Sequence, residues 1–174
     1  TLMGYTPDYQ KINPQKILYG RFINEVDMVQ KRKSCVIGTQ VCKDLFPGGE
    51  DPTGRIIKLS NTYFRVVGVL RKQSTAMSFS DVERTIVVPV SLAQQMFGRG
   101  NGIDMLAVAG RDDTPSKEVD KACREAVFAR HIISPDDEKA VWSMATAEIF
   151  EKVMGLFNGI ALLTWIVGLG TLLA

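Results

Sequence analysis

The stretch CVIGTQVCKDLFPGGEDPTGRIIKLSNTYFRVVGVL, residues 35–70, decides the fold of this chain. It opens within a short apolar strand, Ser34–Gly38, and continues into a predicted helix that Thr39 can cap. A proline and glycines end that helix. Two runs rich in β-branched and aromatic residues follow, residues 55–59 and 63–70, and the short polar turn between them predicts a hairpin.

Alternation along the two runs predicts which face of the hairpin is buried. One face can carry four apolar side chains, and the other carries two cations, Lys58 and Arg65. The four apolar residues are Ile57, Leu59, Phe64 and Val66.

The loop before the hairpin has the glycine spacing of a phosphate-binding loop. Gly49 and Gly54 stand at G-x-x-x-x-G spacing, with Arg55 directly behind. Such a loop needs a Lys, a Ser or Thr and free backbone N–H groups around phosphate. Here Glu50 and Asp51 would repel phosphate, and a proline removes one donor. The loop also runs from helix to strand, the reverse of the phosphate-binding arrangement. We therefore interpret it as a turn-rich connection, and expect this chain not to bind ATP by itself.

Composition places few other constraints. The chain has 174 residues, suited to one domain or two small lobes, and a net charge of +2 with acids and bases interspersed. The densest basic run, residues 31–33, is interpreted as a solvated turn before a strand. The sequence has no basic cluster with interleaved aromatic residues, the pattern that would predict nucleic-acid binding.

Residues 153–174 contain no charged side chain. As a helix this segment would cover about 33 Å, the thickness of a bilayer's hydrocarbon core. We predict a transmembrane helix that contacts membrane lipid; the alternative is a buried core helix. Gly155 and Gly159 add a weak G-x-x-x-G signal for close helix contact. Because the chain lacks an initiator methionine and stops inside the apolar run, we expect a fragment cut at both ends.

The middle of the chain carries further local signals. Residues 84–90 predict a strand, and Ser91 with Gln94 predicts a capping box for a helix over residues 92–97 that Gly98 stops.

After Gly98 the pattern predicts a βαβ unit. Residues 104–110 and 139–145 predict its two parallel strands, joined by a right-handed crossover. The helix between them starts with Thr114 and Pro115 at its N-cap and first position. Its apolar stripe is Val119, Ala122, Cys123, Ala126 and Val127. A lone βαβ unit leaves its sheet unfinished, so we expect its partner strands before residue 1. From Thr146 a helix is predicted to run into the apolar segment.

No residue set predicts chemistry. His131 is the only histidine, and neither a metal site nor a Ser-His-Asp triad is visible around it. The acidic clusters at residues 112–113 and 136–138 are interpreted as solvated turns. The three cysteines, Cys35, Cys42 and Cys123, leave at least one unpaired, and usage does not fix the compartment. We predict no catalytic, cofactor-binding or metal-binding residues, and no enzyme.

Three quoted stretches resemble one family. GRFINEVD, residues 20–27, is similar to a Gly-Arg-Phe segment with trailing acids, and residues 35–70 are similar to a core signature. That signature is a strand ending in Gly38, then Leu45-Phe46, Asp51-Pro52-x-Gly54 and Phe64-x-Val66-Val67-Gly68-Val69. TWIVGLGTLLA, residues 164–174, resembles the start of a second membrane helix. The family is the extracytoplasmic domain of MacB-like, FtsX-like ABC transporter permeases.

The resemblance implies an α+β fold with two lobes followed by a C-terminal transmembrane helix. The implied division is a β-rich sabre lobe over residues 1–98, the second half of a βαβ porter lobe over residues 99–147, and a stalk with the start of the membrane helix over residues 148–174. It implies a bacterial inner membrane location, with residues 1 to about 152 on the periplasmic side. Its implied partners are an ABC ATPase, a second permease copy and, in some systems, a periplasmic adaptor and outer-membrane channel.

Two functions remain open on this resemblance. The first is mechanotransmission, in which cytoplasmic ATP hydrolysis is coupled to movement in the periplasm. That movement would serve efflux or the extraction of a lipidated substrate. The second is a regulatory module that controls a cell-wall hydrolase across the membrane. An anchored enzyme is the weakest alternative, because no nucleophile or acid/base set is present.

Overall fold

The computed structural model describes residues 1–59, 61–72, 81–111, 114–131, 141–143 and 146–173. The chain forms two compact units, Thr1–Val108 and Ala109–Ala174. Ten helices and strands and one 3-10 turn, Val82–Arg84, make up the described part of the first unit: β1 (Leu2–Tyr5), α1 (Tyr9–Ile12), β2 (Lys16–Gly20), α2 (Glu25–Val29), β3 (Ser34–Gly38), α3 (Thr39–Leu45), β4 (Ile56–Leu59), β5 (Thr62–Arg71), β6 (Ile86–Pro89) and α4 (Val90–Met96). The second unit contains α5 (Ser116–His131) and α6 (Thr146–Leu173).

The first unit is built on one mixed six-stranded sheet. Its order is β1-β6-β3-β5-β2, and β4 also pairs with β5. Strands β3 and β5 are parallel, as are β1 and β6, while β3 with β6 and β5 with both β2 and β4 are antiparallel. The predicted hairpin is confirmed, with Ile57 opposite Phe64 and Lys58 opposite Tyr63.

Both faces of the sheet carry apolar side chains, which explains why β3 is buried at all five positions. One cluster contains eight buried residues: Cys35, Ile37, Ile57, Phe64, Val66, Val69, Val88 and Leu92. The second cluster contains six: Phe22, Ile23, Val36, Leu70, Val82 and Val87. Removing this apolar surface from water is the main stabilising contribution in the unit. The predicted inward positions of the hairpin are confirmed for Ile57, Phe64 and Val66, which are buried, while Leu59 is partly buried against the same cluster. Lys58 and Arg65 are exposed, as predicted.

Two glycines let β2 and β5 approach closely. Gly20 pairs with Gly68, and Gly20 has φ +67°, a left-handed conformation that suits glycine. A Cβ on Gly20 would lie 2.1 Å from the Val67 carbonyl oxygen, and one on Gly68 would lie 2.2 Å from that of Arg21. The glycines of the Gly-Arg-Phe and Val-Gly-Val segments therefore meet at one backbone contact.

In the second unit, Arg124 on α5 holds the segment 141–143. Its guanidinium bonds to Asp120 Oδ2 at 3.0 Å, to the Val141 carbonyl oxygen at 3.1 Å and to Ser143 Oγ. The Ser143 hydroxyl, followed by Arg124, lowers the pKa of the Asp120 carboxyl, with burial opposing. One side chain thus fixes residues 141–143 against α5.

The predicted βαβ unit is corrected by the structure. Residues 104–110 are described but form no strand, and Met105 and Leu106 are 63% and 64% exposed. A strand is stabilised by pairing with a neighbour, and no described strand pairs with this segment. Of the predicted strand 139–145, only residues 141–143 are described, and these are not in a strand. The helix between them is confirmed, beginning at Ser116, one residue after the predicted first position.

Two predicted caps are also wrong. Gly38, not Thr39, is the N-cap residue of α3, and no side chain caps that end. Helix α4 begins at Val90 without a capping box, and the Ser91 hydroxyl instead donates to the Met28 carbonyl oxygen at 2.7 Å. The Ser91 hydroxyl therefore makes a tertiary contact with α2 instead of capping its own helix. The predicted stop is confirmed, since α4 ends at Met96 and Gly98 has φ +63°.

The α+β fold class is confirmed, and α6 begins at Thr146 as predicted. The transmembrane prediction for residues 153–174 is not confirmed, because no helix within the described residues is both long and apolar enough to cross a membrane. The division into sabre and porter lobes stays a prediction.

Candidate functional site

The glycine-spaced loop before β4 is engaged in internal contacts. Arg55 forms an ion pair with Glu50 at 2.8 Å, and the Thr53 amide donates to Asp51 Oδ1 at 2.8 Å. The Gly54 amide donates to the Val66 carbonyl oxygen at 2.8 Å. Bonds from Thr53, side chain first and then backbone, lower the pKa of the Asp51 carboxyl. The Gly54 bond attaches the loop to β5, and the ion pair with Glu50 neutralises the Arg55 charge within the loop.

The other candidate residues are scattered. His131 is exposed at the last residue of α5. The acidic clusters 112–113 and 136–138 lie outside the described residues. Across the described ranges, no three His, Cys, Asp or Glu side chains gather in a way that could hold a metal ion.

The three cysteines are free thiols rather than a disulfide framework. Cys35 is fully buried, and its burial raises the pKa of the thiol to about 12. Cys42 is partly buried; burial first, and then the charge of Asp51, raise the pKa of that thiol too. Cys123 is partly buried on α5. Cys35 therefore packs as a small hydrophobe within the first buried cluster, whereas Cys123 is only partly covered.

One buried carboxylate anchors the segment between β2 and β3. The Asp27 side chain is 0% exposed and lies 2.6 Å from Arg21 Nη1. A second contact joins Arg21 Nη2 to the other carboxylate oxygen at 3.2 Å, which makes the pair bidentate. Asp27 also accepts from the Asn24 amide at 3.2 Å, while its own amide donates to Asn24 Oδ1 at 3.0 Å. This reciprocal capping box begins α2.

The environment keeps Asp27 ionised. Burial alone would raise its pKa, but hydrogen bonds from Arg21 and the Asn24 amide, with the Arg21 charge, lower the pKa below its usual value. Both residues belong to the GRFINEVD segment, and in the structure their ion pair holds α2. The spacing of Arg21 and Asp27 could not show from sequence that they form one buried pair.

The first unit has a small depression lined by residues of the sheet and its flanking segments. It encloses about 10 Å³, roughly the room that one water molecule needs. Its lining residues are Tyr5, Tyr9, Gln15, Phe22, Leu70, Val82, Thr85 and Val87. This depression is far smaller than the several hundred cubic ångströms that a drug-sized ligand occupies.

The most distinctive surface lies on the outer side of the β4–β5 hairpin. We call it the hairpin face and define it as Ile56, Lys58, Tyr63 and Arg65, all exposed. Lys58 lies opposite Tyr63 and Ile56 opposite Arg65, with Lys58 Nζ 5.9 Å from the centre of the Tyr63 ring. Sequence alternation placed Lys58 and Arg65 on the outer side.

The basic turn 31–33 adjoins the hairpin face. The Arg65 amide donates to the Lys33 carbonyl oxygen at 2.8 Å, and all three turn residues are exposed. The interpretation of this run as an exposed turn before β3 is confirmed. Sequence reasoning did not find its neighbour, because the β3–β5 pairing that joins them links distant parts of the chain.

Comparison with known proteins gives a consistent picture. The MacB-like periplasmic core domain profile matches residues 1–126. The chain is 32% identical over 147 residues to the Macrolide export ATP-binding/permease protein MacB of Bdellovibrio bacteriovorus, covering 83% of this chain and 22% of that protein. It is 29% identical over 153 residues to the Pyoverdine export ATP-binding/permease protein PvdT of Pseudomonas putida, covering 86% of this chain and 23% of that protein. The chain thus spans less than a quarter of the length of these two relatives.

The fold is similar to a solved structure. The periplasmic region of MacB from Actinobacillus actinomycetemcomitans superposes with a TM-score of 0.66 at 22% sequence identity, covering 88% of this chain and 64% of that one. At this identity the similarity supports the fold.

Proposed function

Because the chain belongs to the MacB-like periplasmic core domain family, we propose that it is the periplasmic part of an ABC export permease that couples ATP hydrolysis elsewhere in the transporter to movement in the periplasm. The observation that carries the proposal is the family match over residues 1–126, which covers every element of the sheet. The names of the relatives combine ATP binding with a permease, and both describe export.

The features of the first unit suit a part that moves as a body. Two buried clusters, a bidentate buried ion pair and a backbone contact between glycines hold one sheet together. Packed interiors transmit displacement because their packing density is close to that of a crystal. A domain of this kind can carry a force without contributing catalytic groups.

The proposal includes partners and location. The ATPase is a partner subunit or fused domain in the cytoplasm, and a second permease copy completes the transporter. A periplasmic adaptor and an outer-membrane channel complete an efflux route in a bacterium with two membranes. The domain faces the periplasm at the inner membrane.

The test uses the parent permease with its ATPase. Replacing residues 1–108 by a flexible Gly-Ser linker should leave membrane insertion and ATP hydrolysis measurable and should abolish export. Arg55→Ala in the same protein is the control, and should leave both ATP hydrolysis and export unchanged because it removes only an exposed ion pair.

Export that persists without residues 1–108 would refute the coupling role. Loss of membrane insertion or of ATP hydrolysis together with export would also count against it, because the linker would then have removed more than a coupling domain.

A further inference from the structure

We propose that the hairpin face and the free edge of β4 together bind an extended, acidic segment of a partner polypeptide. This inference is independent of the coupling role above, and rests on three observations: a concentration of unpaired cations, an edge strand and an exposed apolar pair.

The charge comes from five side chains. Lys31, Arg32, Lys33, Lys58 and Arg65 are exposed, and none of them forms an ion pair with any residue that the structure describes. By contrast, Arg21, Arg55, Arg84, Arg99 and Arg124 all have carboxylate partners. Lys16, Lys43, Arg71 and Lys72 of the first unit are likewise exposed and without an ion pair among the described residues. Five of these nine cations nevertheless belong to the basic turn and the hairpin face, which gives that surface a local positive charge that favours an anionic partner.

The turn that carries three of these cations is held in a set conformation. Lys31 has φ +47°, the left-handed region that lysine rarely adopts. Its amide bonds to the Met28 carbonyl oxygen at 3.3 Å, and the Arg32 amide bonds to that of Asp27 at 2.9 Å. Since Asp27 is itself fixed by Arg21, the buried ion pair positions the start of the basic turn. Because the backbone of this turn is already fixed, less backbone freedom is lost when a partner binds.

The edge of β4 provides backbone groups. Among the described strands β4 pairs only with β5, so its other edge is unpaired there. An extended peptide can add to such an edge through main-chain hydrogen bonds, with alternate side chains over each face. On the outer face those side chains would lie beside Ile56 and Lys58.

The side-chain chemistry selects an acidic polypeptide over the alternatives. A second copy pairing through β4 would bring Lys58 close to its own counterpart, and edge lysines oppose such self-pairing. A nucleic-acid surface stacks successive bases on several aromatic rings, whereas Tyr63 is the one aromatic side chain of the hairpin face. Tyr63 and Ile56 are 62% and 61% exposed and provide the apolar contact area of a protein interface, with cations around them.

The test measures binding of a fluorescent peptide of alternating Glu and Val to the full chain in neutral detergent. Two competitors are a heparin oligosaccharide and a short-chain phosphatidylglycerol, which carry negative charge without a peptide backbone. The variant Lys58→Glu/Arg65→Glu should weaken peptide binding at least about tenfold, and Tyr63→Ala about threefold. Added salt should weaken binding to the wild-type protein.

The matched control is Lys16→Glu/Lys43→Glu, which makes the same change in net charge at two exposed lysines of the same unit, on β2 and α3. It should bind the peptide within about twofold of wild type, since neither side chain belongs to the hairpin face or to the basic turn. An unchanged thermal transition for each variant shows that the fold is intact.

Three results would overturn the proposal: no peptide binding by the wild-type chain, equal loss in the control variant, or competition by heparin or phosphatidylglycerol as strong as that by unlabelled peptide. The last result would assign the surface to polyanions or to lipid headgroups rather than to a polypeptide.

Discussion

Arg21 and Asp27 show how one ion pair can matter more than all the exposed ones. The Asp27 side chain is 0% exposed, so loss of its cation would leave an ionised carboxylate in a low-dielectric site. We expect Arg21→Ala to lower the free energy of unfolding by about 3–5 kcal/mol. Arg21→Lys keeps the charge but not the bidentate geometry, and should cost less. Arg55→Ala removes an exposed pair and should cost under about 1 kcal/mol. Chemical denaturation of the full chain in detergent measures all three.

The same pair predicts how stability depends on pH. The pKa of Asp27 is lowered in the folded state, so its contribution is complete above the ordinary aspartate pKa of about 3.9 and is lost as the pH falls through the lower folded pKa. The stability difference between wild type and Arg21→Ala should therefore shrink on acidification below about pH 4. A difference that stays constant from neutral to strongly acidic pH would show that the charge interaction is not its source.

Gly68 predicts a large effect from a single methyl group. Gly68→Ala would place a Cβ 2.2 Å from the Arg21 carbonyl oxygen. Arg21 has little room to move because its amide donates to the Val67 carbonyl oxygen at 2.9 Å. We expect a loss of about 2–3 kcal/mol in unfolding free energy. Gly48→Ala is the matched control, since its nearest neighbour would be Glu50 Cγ at 4.0 Å. Near-equal stability of the two variants would show that β2 and β5 separate at little cost.

At the scale of elements, we predict that α6 transmits force, a prediction that rests on the proposed function. It runs without interruption from Thr146 to Leu173. Each glycine in a helix interior costs about 1 kcal/mol relative to alanine. Glycines at Glu151, Lys152 and Val153 should therefore loosen the helix locally. In the parent permease we expect this variant to insert and hydrolyse ATP but to lose export.

An alanine triplet at the same three positions controls for the lost side chains and should keep most export. Equal export by the glycine and alanine variants would exclude rigid transmission through this helix.

The elements also show what a single sequence can predict. The segment from β3 to β5 was predictable because its signals are local: an apolar run, a proline with glycines, and alternation on both sides of a short turn. Strands β1 and β2 were not identified, since each is a short strand stabilised by pairing with a distant one. For residues 104–110 a strand was predicted that does not form, because a composition that favours a strand does not provide a neighbouring strand to pair with.

The sequence predicted part of the hairpin face but not its contact with the basic turn. Alternation placed Lys58 and Arg65 on the outer face, but the basic turn joins them only through the β3–β5 register. The Arg21–Asp27 pair depended on burial, which local pattern does not encode for a charged residue. Long-range pairing and burial are the parts that the sequence left open.

At the scale of the whole molecule, the first unit should be able to fold by itself. Residues 1–108 contain every described strand and both buried clusters, whereas α5 has no buried residue. We expect the 1–108 fragment to unfold in one cooperative transition, with a stability of about 5–15 kcal/mol. Circular dichroism and tryptophan-free tyrosine fluorescence both report it, because the two tryptophans lie outside this range. Separate transitions by the two probes would show that the sheet depends on the rest of the chain.

The pairing of β1 with β6 has a consequence in time. Leu2 lies beside Ile86 in the finished sheet, so β1 leaves the ribosome several seconds before its partner at ordinary rates of synthesis, about 5–20 residues per second. During that delay β1 lacks its pairing partner and its apolar side chains stay exposed, while β3, β4 and β5 can already assemble. Sheets closed by such distant pairings fold slowly. Newly made protein should therefore be most sensitive to aggregation and proteolysis just before residue 89 becomes available.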